Sequence, residues 1–209
     1  MQSGTKKDPA EKKPRGRPRA YQPEAALLQA AQVFWKTGYA GTSLDDIASA
    51  TGMNRPSLRA AFGDKREIYI KVLSDYWARK FTAMHKALDS DGSLAEALMR
   101  VYDAALSIYF AGDDQALGCF VLGTAITEAP GDAEIKSMLT EGFHTLDANF
   151  EARFKRARAS GELKHDADPK ALALLAAATM QSLAIRARTG TSQKELRKLA
   201  QKAVSVICG

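Results

Sequence analysis

Residues 42–62 read TSLDDIASATGMNRPSLRAAF, and the order of small, apolar and basic side chains in them decides the fold. Ser43 and Asp46 stand three apart, the spacing of a capping box, so a short helix over about 44–50 is expected after Ser43. Gly52 supplies a left-handed turn at little conformational cost. Asn54 is a good N-cap and Pro56 is tolerated in a first turn, which starts a second helix over about 55–61. Ile47 and Ala48 on the first helix then face Met53, Leu58, Ala61 and Phe62 around the second. Two short helices held steeply by a tight glycine turn form a helix-turn-helix.

The other face of the second helix is basic. Arg55 and Arg59 lie four apart and project on one side, flanked by Pro56, Ser57 and Ala60. An α-helix fits the major groove of DNA, where arginine bonds guanine O6 and N7 in bidentate fashion. Either arginine can instead hold a phosphate, which positions without specifying. Thr42 and Ser43 sit at one helix N-terminus and Lys65 at the next, where hydroxyls, free N–H groups and an ammonium suit phosphates. With Asn54, these residues form the expected contact set for double-stranded DNA.

Charge along the chain supports that partner. The 209 residues carry 30 Lys and Arg against 24 Asp and Glu, a formal net charge of +6. Residues 1–22 hold seven basic and two acidic side chains, with Pro9, Pro14 and Pro18, and few apolar residues. That composition predicts a basic arm, disordered when free. Residues 86–209 are nearly balanced, at 15 basic and 16 acidic side chains. The segment Arg15-Gly-Arg-Pro-Arg19 resembles the core of an AT-hook, and Arg15, Arg17 and Arg19 are expected to enter a narrow A·T-rich minor groove.

Outward from the motif the periodicity is helical almost everywhere. Helices are expected over about 23–37, 64–88, 93–110, 118–129, 132–160, 168–188 and 192–207, with Pro and Gly as punctuation. The expected fold class is all-α: an N-terminal three-helix helix-turn-helix domain plus a larger C-terminal helical ligand-binding and dimerisation domain. The expected boundaries are 1–22 for the arm, 23–70 for the DNA-binding domain with a linking helix to about 88, and 89–209 for the body. Hydrophobic residues at 45% supply a substantial core. Two cysteines exclude a disulfide framework, and the reading is a reducing, cytoplasmic compartment. The longest apolar run, residues 171–180, is half of what a membrane span requires. No P-loop, dinucleotide-binding or nucleophile-elbow motif is present, so an enzyme has no sequence support. No cofactor is expected, and His85, His144 and His165 lack metal-ligand spacing.

The stretch AAQVFWKTGYAGTSLDDIASATGMNRPSL over residues 30–58, followed by Phe62-Gly-Asp-Lys65 and Tyr69, closely resembles the DNA-binding domain of TetR-family regulators. The resemblance covers about residues 23–70. It implies a homodimer that represses by binding a palindromic operator and is released by a small-molecule effector held in the C-terminal domain. One departure is Arg59, where family members often carry a tyrosine that touches the DNA backbone. The resemblance also implies that the last two helices pair across a two-fold axis, with Leu172, Leu175, Ala176, Thr179, Leu183, Leu196, Leu199 and Ala203 as the expected face. For the effector, the expected lining is Phe81, His85, Tyr102, Tyr109, Cys119, Glu128, Phe143, His144 and Met180. Cys119 follows Gly118 at an expected helix start, where a thiolate is favoured, but a buried small hydrophobe is the stronger reading. The competing function is an architectural DNA-binding protein independent of any ligand.

Overall fold

The computed structural model describes residues 22–112 and 115–209, so the basic arm, Gln22 apart, lies outside the described residues. Among the described residues the chain is helical without strands. Eight α-helices follow one another: α1 Pro23–Thr37, α2 Leu44–Thr51, α3 Arg55–Phe62, α4 Lys65–Asp89, α5 Leu94–Tyr109, α6 Ala133–Ala159, α7 Pro169–Arg188 and α8 Gln193–Cys208. Their starts are chemically marked. Ser43 with Asp46, Asp64 with Glu67, Ser93 with Glu96, and Ser192 with Glu195 close reciprocal capping boxes before α2, α4, α5 and α8.

Helices α1 to α3 pack with the first turns of α4 around Ala30, Phe34, Ile47, Leu58, Phe62, Ile68 and Tyr69, all buried. The turn between α2 and α3 takes the expected form. Gly52 is left-handed at φ +64°, and the Met53 N–H donates to the Ala48 carbonyl at 3.1 Å. This Schellman-like end returns Met53 to the core. The Tyr69 ring meets Phe34 edge-on at 5.0 Å.

The body is a bundle in which α6 against α7 forms the most extensive pair, with α8 packed on α5 and α7. α4 belongs to both parts, packing on α1 near its start and on α5 and α6 further along. Gly142 lets α6 lie directly on Trp77 of α4, because a Cβ there would stand 2.3 Å from Trp77 Cε2. Arg66 at the start of α4 forms a bidentate pair with Asp132, at 2.6 and 2.9 Å, and also bonds Glu134 at 2.8 Å. Asp132 in turn caps α6 by accepting from the Glu134 and Ile135 N–H groups.

Two expectations are corrected. The helix expected over 118–129 starts only at about residue 120 and is not a regular α-helix. Gly118 is left-handed at φ +66°, and both the Leu117 and Gly118 N–H groups turn back to the Tyr109 carbonyl. Val121–Ala125 is a π-turn in which the Ile126 N–H reaches the Val121 carbonyl at 3.1 Å, flanked by helical bonds from the Gly123 N–H to the Cys119 carbonyl and from the Ala129 N–H to the Ala125 carbonyl. Thr124 at its centre donates to the Phe120 carbonyl, and its hydroxyl meets Tyr69 Oη at 2.8 Å, so a buried polar contact organises the turn. The second correction concerns the last two helices. Ala176, Leu183 and Leu196 are core residues, whereas Leu174, Leu175, Ile185, Leu199 and Val206 are exposed.

Gly142→Ala is expected to destabilise the fold by about 2 kcal/mol through overpacking against Trp77, read as a lower urea midpoint. Hydrogen bonds from Arg66, then from the Ile135 backbone, hold Asp132 at about 2, below its ordinary 3.8. Its stabilisation is therefore complete above about pH 4 and is lost as pH falls through about 2. Asparagine caps helices as well as aspartate. Melting of Asp132→Asn against wild type is expected to show a gap above pH 4 that closes near pH 2.

Candidate nucleic-acid interface

α3 has one buried and one outward side. Leu58 and Phe62 are buried, while Arg55, Pro56, Ser57, Arg59 and Ala60 are exposed. Asn54 accepts the Ser57 N–H at 2.9 Å, and its own amide N–H groups and the Ser57 hydroxyl have no hydrogen-bond partner among the described residues. The exposed ring of Pro56 suits a thymine methyl. Five of the expected residues, Asn54, Arg55, Pro56, Ser57 and Arg59, thus share one surface.

The two arginines differ. Arg59 has no acidic partner among the described residues. Arg55 is engaged edge-on with Asp45 of α2, its Nε donating to Oδ1 and its Nη2 to Oδ2. Residue spacing alone did not reveal this partner, since Asp45 is ten positions away and arrives only through the Gly52 turn.

The α2 N-terminus departs from expectation. Thr42 is buried, and its hydroxyl donates to the Gly38 carbonyl and meets Thr37 Oγ1, both at 2.7 Å. It therefore braces the loop, and its side chain is not a phosphate ligand. The Ser43 hydroxyl is consumed by the capping box, where it and the Ser43 N–H hold the Asp46 carboxyl below its ordinary range. Ser43 stays exposed, so this end offers backbone N–H groups. Lys65 donates to the Tyr39 and Thr42 carbonyls at 3.1 and 3.0 Å and sits 4.3 Å over the Tyr39 ring. Two of its three N–H donors thus fix the loop before α2, and one remains. Arg15, Arg17 and Arg19 lie outside the described residues.

The residues expected around an effector do not converge as a set. Tyr109 and Met180 do line one narrow cavity of about 20 Å³, together with Tyr76, Lys80, Met84 and Val101. A larger cavity of about 140 Å³ lies between α1 and α4, against Leu28, Trp35, Val72, Tyr76, Ile108 and Phe120. The two share Tyr76, Lys80 and Ile108. Cys119 is buried, with Sγ 3.3 Å from Tyr76 Oη. Burial, then the neighbouring Cys119 and Tyr109, push the Tyr76 phenol well above its ordinary value. Tyr102 is committed to the Ala176 carbonyl at 3.1 Å. Phe81 lines a separate open groove between α4 and α6, beside Trp77, whose ring Phe143 meets edge-on. His144 is exposed, His85 is exposed and pairs with Asn149, and Glu128 lines neither cavity. These three residues line neither cavity: helical spacing does not reveal which face of α4 and α6 looks outward, and Glu128 lies in the turn between Ala125 and α6. Tyr76 and Lys80 of α4 and Ile108 of α5 were missed because the walls they form draw on several helices at once.

Comparison with known proteins agrees with this architecture. Residues 26–72 match the bacterial regulatory proteins of the tetR family, and residues 95–203 match the tetracyclin repressor-like C-terminal domain. The chain is 33% identical over 190 residues to the HTH-type transcriptional repressor ComR of Escherichia coli strain K12, covering 90% of each. It is 28% identical to the uncharacterized HTH-type transcriptional regulator YezE of Bacillus subtilis strain 168, covering 92% of this chain and 99% of the relative. Among solved structures, a cysteine mutant of the TetR family regulator CifR, complexed with 26 bp double-strand operator DNA, superposes with a TM-score of 0.81. That protein is 28% identical and covers 91% of this chain and 98% of its own. The chain belongs to the tetR family of bacterial regulatory proteins. It is thus a DNA-binding transcriptional regulator of the helix-turn-helix type and not an enzyme.

Because Arg59 has no acidic partner among the described residues, Arg59→Ala is expected to weaken binding evenly across sequences. The slope of log K against log salt should become shallower by about 0.9, the value of one phosphate contact, in fluorescence anisotropy titrations.

Proposed function

We propose that the chain represses transcription as a homodimer on a palindromic operator and that a small-molecule effector releases it. The observation that carries the dimer is the apolar face left open on the last two helices. Leu174, Leu175 and Ile185 of α7 are 63%, 53% and 57% exposed, and Val206 of α8 is 80% exposed. Ala171, Ala178 and Ser182 complete that side of α7 with small exposed residues, so a second helix can approach closely. Water contact at such a stripe is unfavourable by about 25 cal/mol per Å². A second copy about a two-fold axis removes it and sets two α3 helices against successive major grooves, roughly 34–36 Å apart.

In this reading residues 23–70 bind DNA, α4 links, and residues 89–209 dimerise and hold the effector. Ser43, Asn54, Arg55, Pro56, Ser57, Arg59 and Lys65 face the operator, with Arg15, Arg17 and Arg19 adding minor-groove contacts. The repressor name of the ComR relative supports the sign of regulation. For release, the cavity between α1 and α4 supplies a direct lever. Ile108 and Phe120 of the body form one wall of this cavity of about 140 Å³, so an effector that reaches it from residues 89–209 and wedges between α1 and α4 changes the tilt of α3.

Site selection from a random DNA pool is expected to return a two-fold palindrome, whereas an architectural protein would return many unrelated A·T-rich sequences. Sedimentation is expected to give a dimer for wild type and a monomer for Leu174→Glu with Ile185→Glu. The monomer should bind the selected site roughly a hundredfold more weakly, through loss of the second half-site. A monomeric wild type that still selects a palindrome would overturn the α7–α8 interface.

A further inference from the structure

We propose that Asp45 is a positioning residue that presets Arg55 to read one guanine in each operator half-site, an inference that rests on the operator-binding reading above. The argument starts from the guanidinium. It carries five N–H donors in a planar fork. Asp45 takes two of them along one edge, those on Nε and the near side of Nη2. The donors left over are both on Nη1 and the second on Nη2, and one from each nitrogen forms the end edge of the fork. That end edge is a matched pair for guanine O6 and N7.

The pair has little reason to exist as a stabiliser. Its side chains are 59% and 64% exposed, and exposed ion pairs contribute almost nothing to folding. Asp45 has no capping duty either, because Asp46 closes the capping box of α2. What the pair does is orient. It holds a long side chain at the first position of α3, so less rotamer freedom is lost when the fork meets a base. It also neutralises Arg55, so a phosphate gains little by capturing it. Arg59, one turn further along and without an acidic partner among the described residues, remains the phosphate-seeking cation. Two chemically identical side chains on one helix face are thereby given separate tasks.

The test uses the full-length protein in four forms: wild type, Asp45→Asn, Arg55→Ala and the double variant. Each is used to select sites from a random DNA pool and titrated against a random-sequence duplex at low salt. Circular dichroism melts confirm that each is folded. Wild type is expected to select a palindrome with guanine preferred at one position per half-site. Asp45→Asn should reduce that preference roughly tenfold and leave other positions unchanged. It should also tighten binding to the random duplex by roughly threefold, since a negative charge is gone. Arg55→Ala should erase the same preference, and the double variant should be no worse than Arg55→Ala alone, because Asp45 acts only through Arg55. An unchanged base profile in Asp45→Asn overturns the proposal, as does any further loss of preference in the double variant over Arg55→Ala. A palindrome read identically by Arg55→Ala also overturns it while leaving the operator reading intact. Failure of wild type to select any palindrome overturns the operator reading itself.

Discussion

Phe34 and Trp35 are neighbours on one helix and bury their rings in different places, and the rest of the molecule follows from that. Phe34 enters the core of the helix-turn-helix, beside Tyr39 and Tyr69. Trp35 points the other way, edge-on to Tyr76 and Phe120, and donates its indole N–H to the Leu117 carbonyl at 3.2 Å. Burying a large aromatic ring stabilises by roughly 1.5–3 kcal/mol, so neither can leave its place cheaply. α1 is therefore held by both parts of the chain. With α4, which is likewise shared, it packs the small unit against the bundle through buried aromatic contacts.

The operator side is built on the opposite principle, in which polar groups are committed locally until few remain. Thr42 and the Ser43 hydroxyl serve the loop and the cap, Lys65 ties two carbonyls, and Asp45 holds Arg55. The uncommitted donors are concentrated on Arg59, Asn54, Ser57 and one end of Arg55. A surface arranged in this way loses little side-chain freedom on meeting DNA. The price of that order is a weaker nonspecific attraction.

How much of this was legible in the sequence depended on how local each feature is. The helix-turn-helix was readable because its determinants lie within 21 residues and each has a short-range mechanism: cap, left-handed glycine, apolar inner stripe. The eight α-helices followed from caps and periodicity. The segment after Gly118 was misread because the residues that reshape it, Tyr69 and Ala184, are far away in sequence. A Cβ at position 118 would lie 2.6 Å from the Ala184 carbonyl, which explains the glycine but is invisible without the fold. The open face of α7 was misphased because residues 171–180 are apolar almost all round, so periodicity carries no contrast there. The cavities around Tyr76 draw on several helices at once, and spacing along any one of them does not announce a shared wall.

The carbonyl of Leu117 accepts two hydrogen bonds, one from Trp35 of α1 and one from Arg188 at the end of α7, at 3.2 and 3.1 Å. Both lone pairs of a single main-chain oxygen are thus spent joining the helix that supports the DNA-reading unit to a helix that carries the open apolar face. Because the acceptor is backbone, no ordinary substitution at position 117 can delete it. Substitution can act on the two donors, and on Gly123, where a side chain would stand 2.4 Å from the Arg188 guanidinium. The connection therefore does not depend on the side chain at 117 but on Trp35 and Arg188 and on the glycines at 118 and 123 that leave them room.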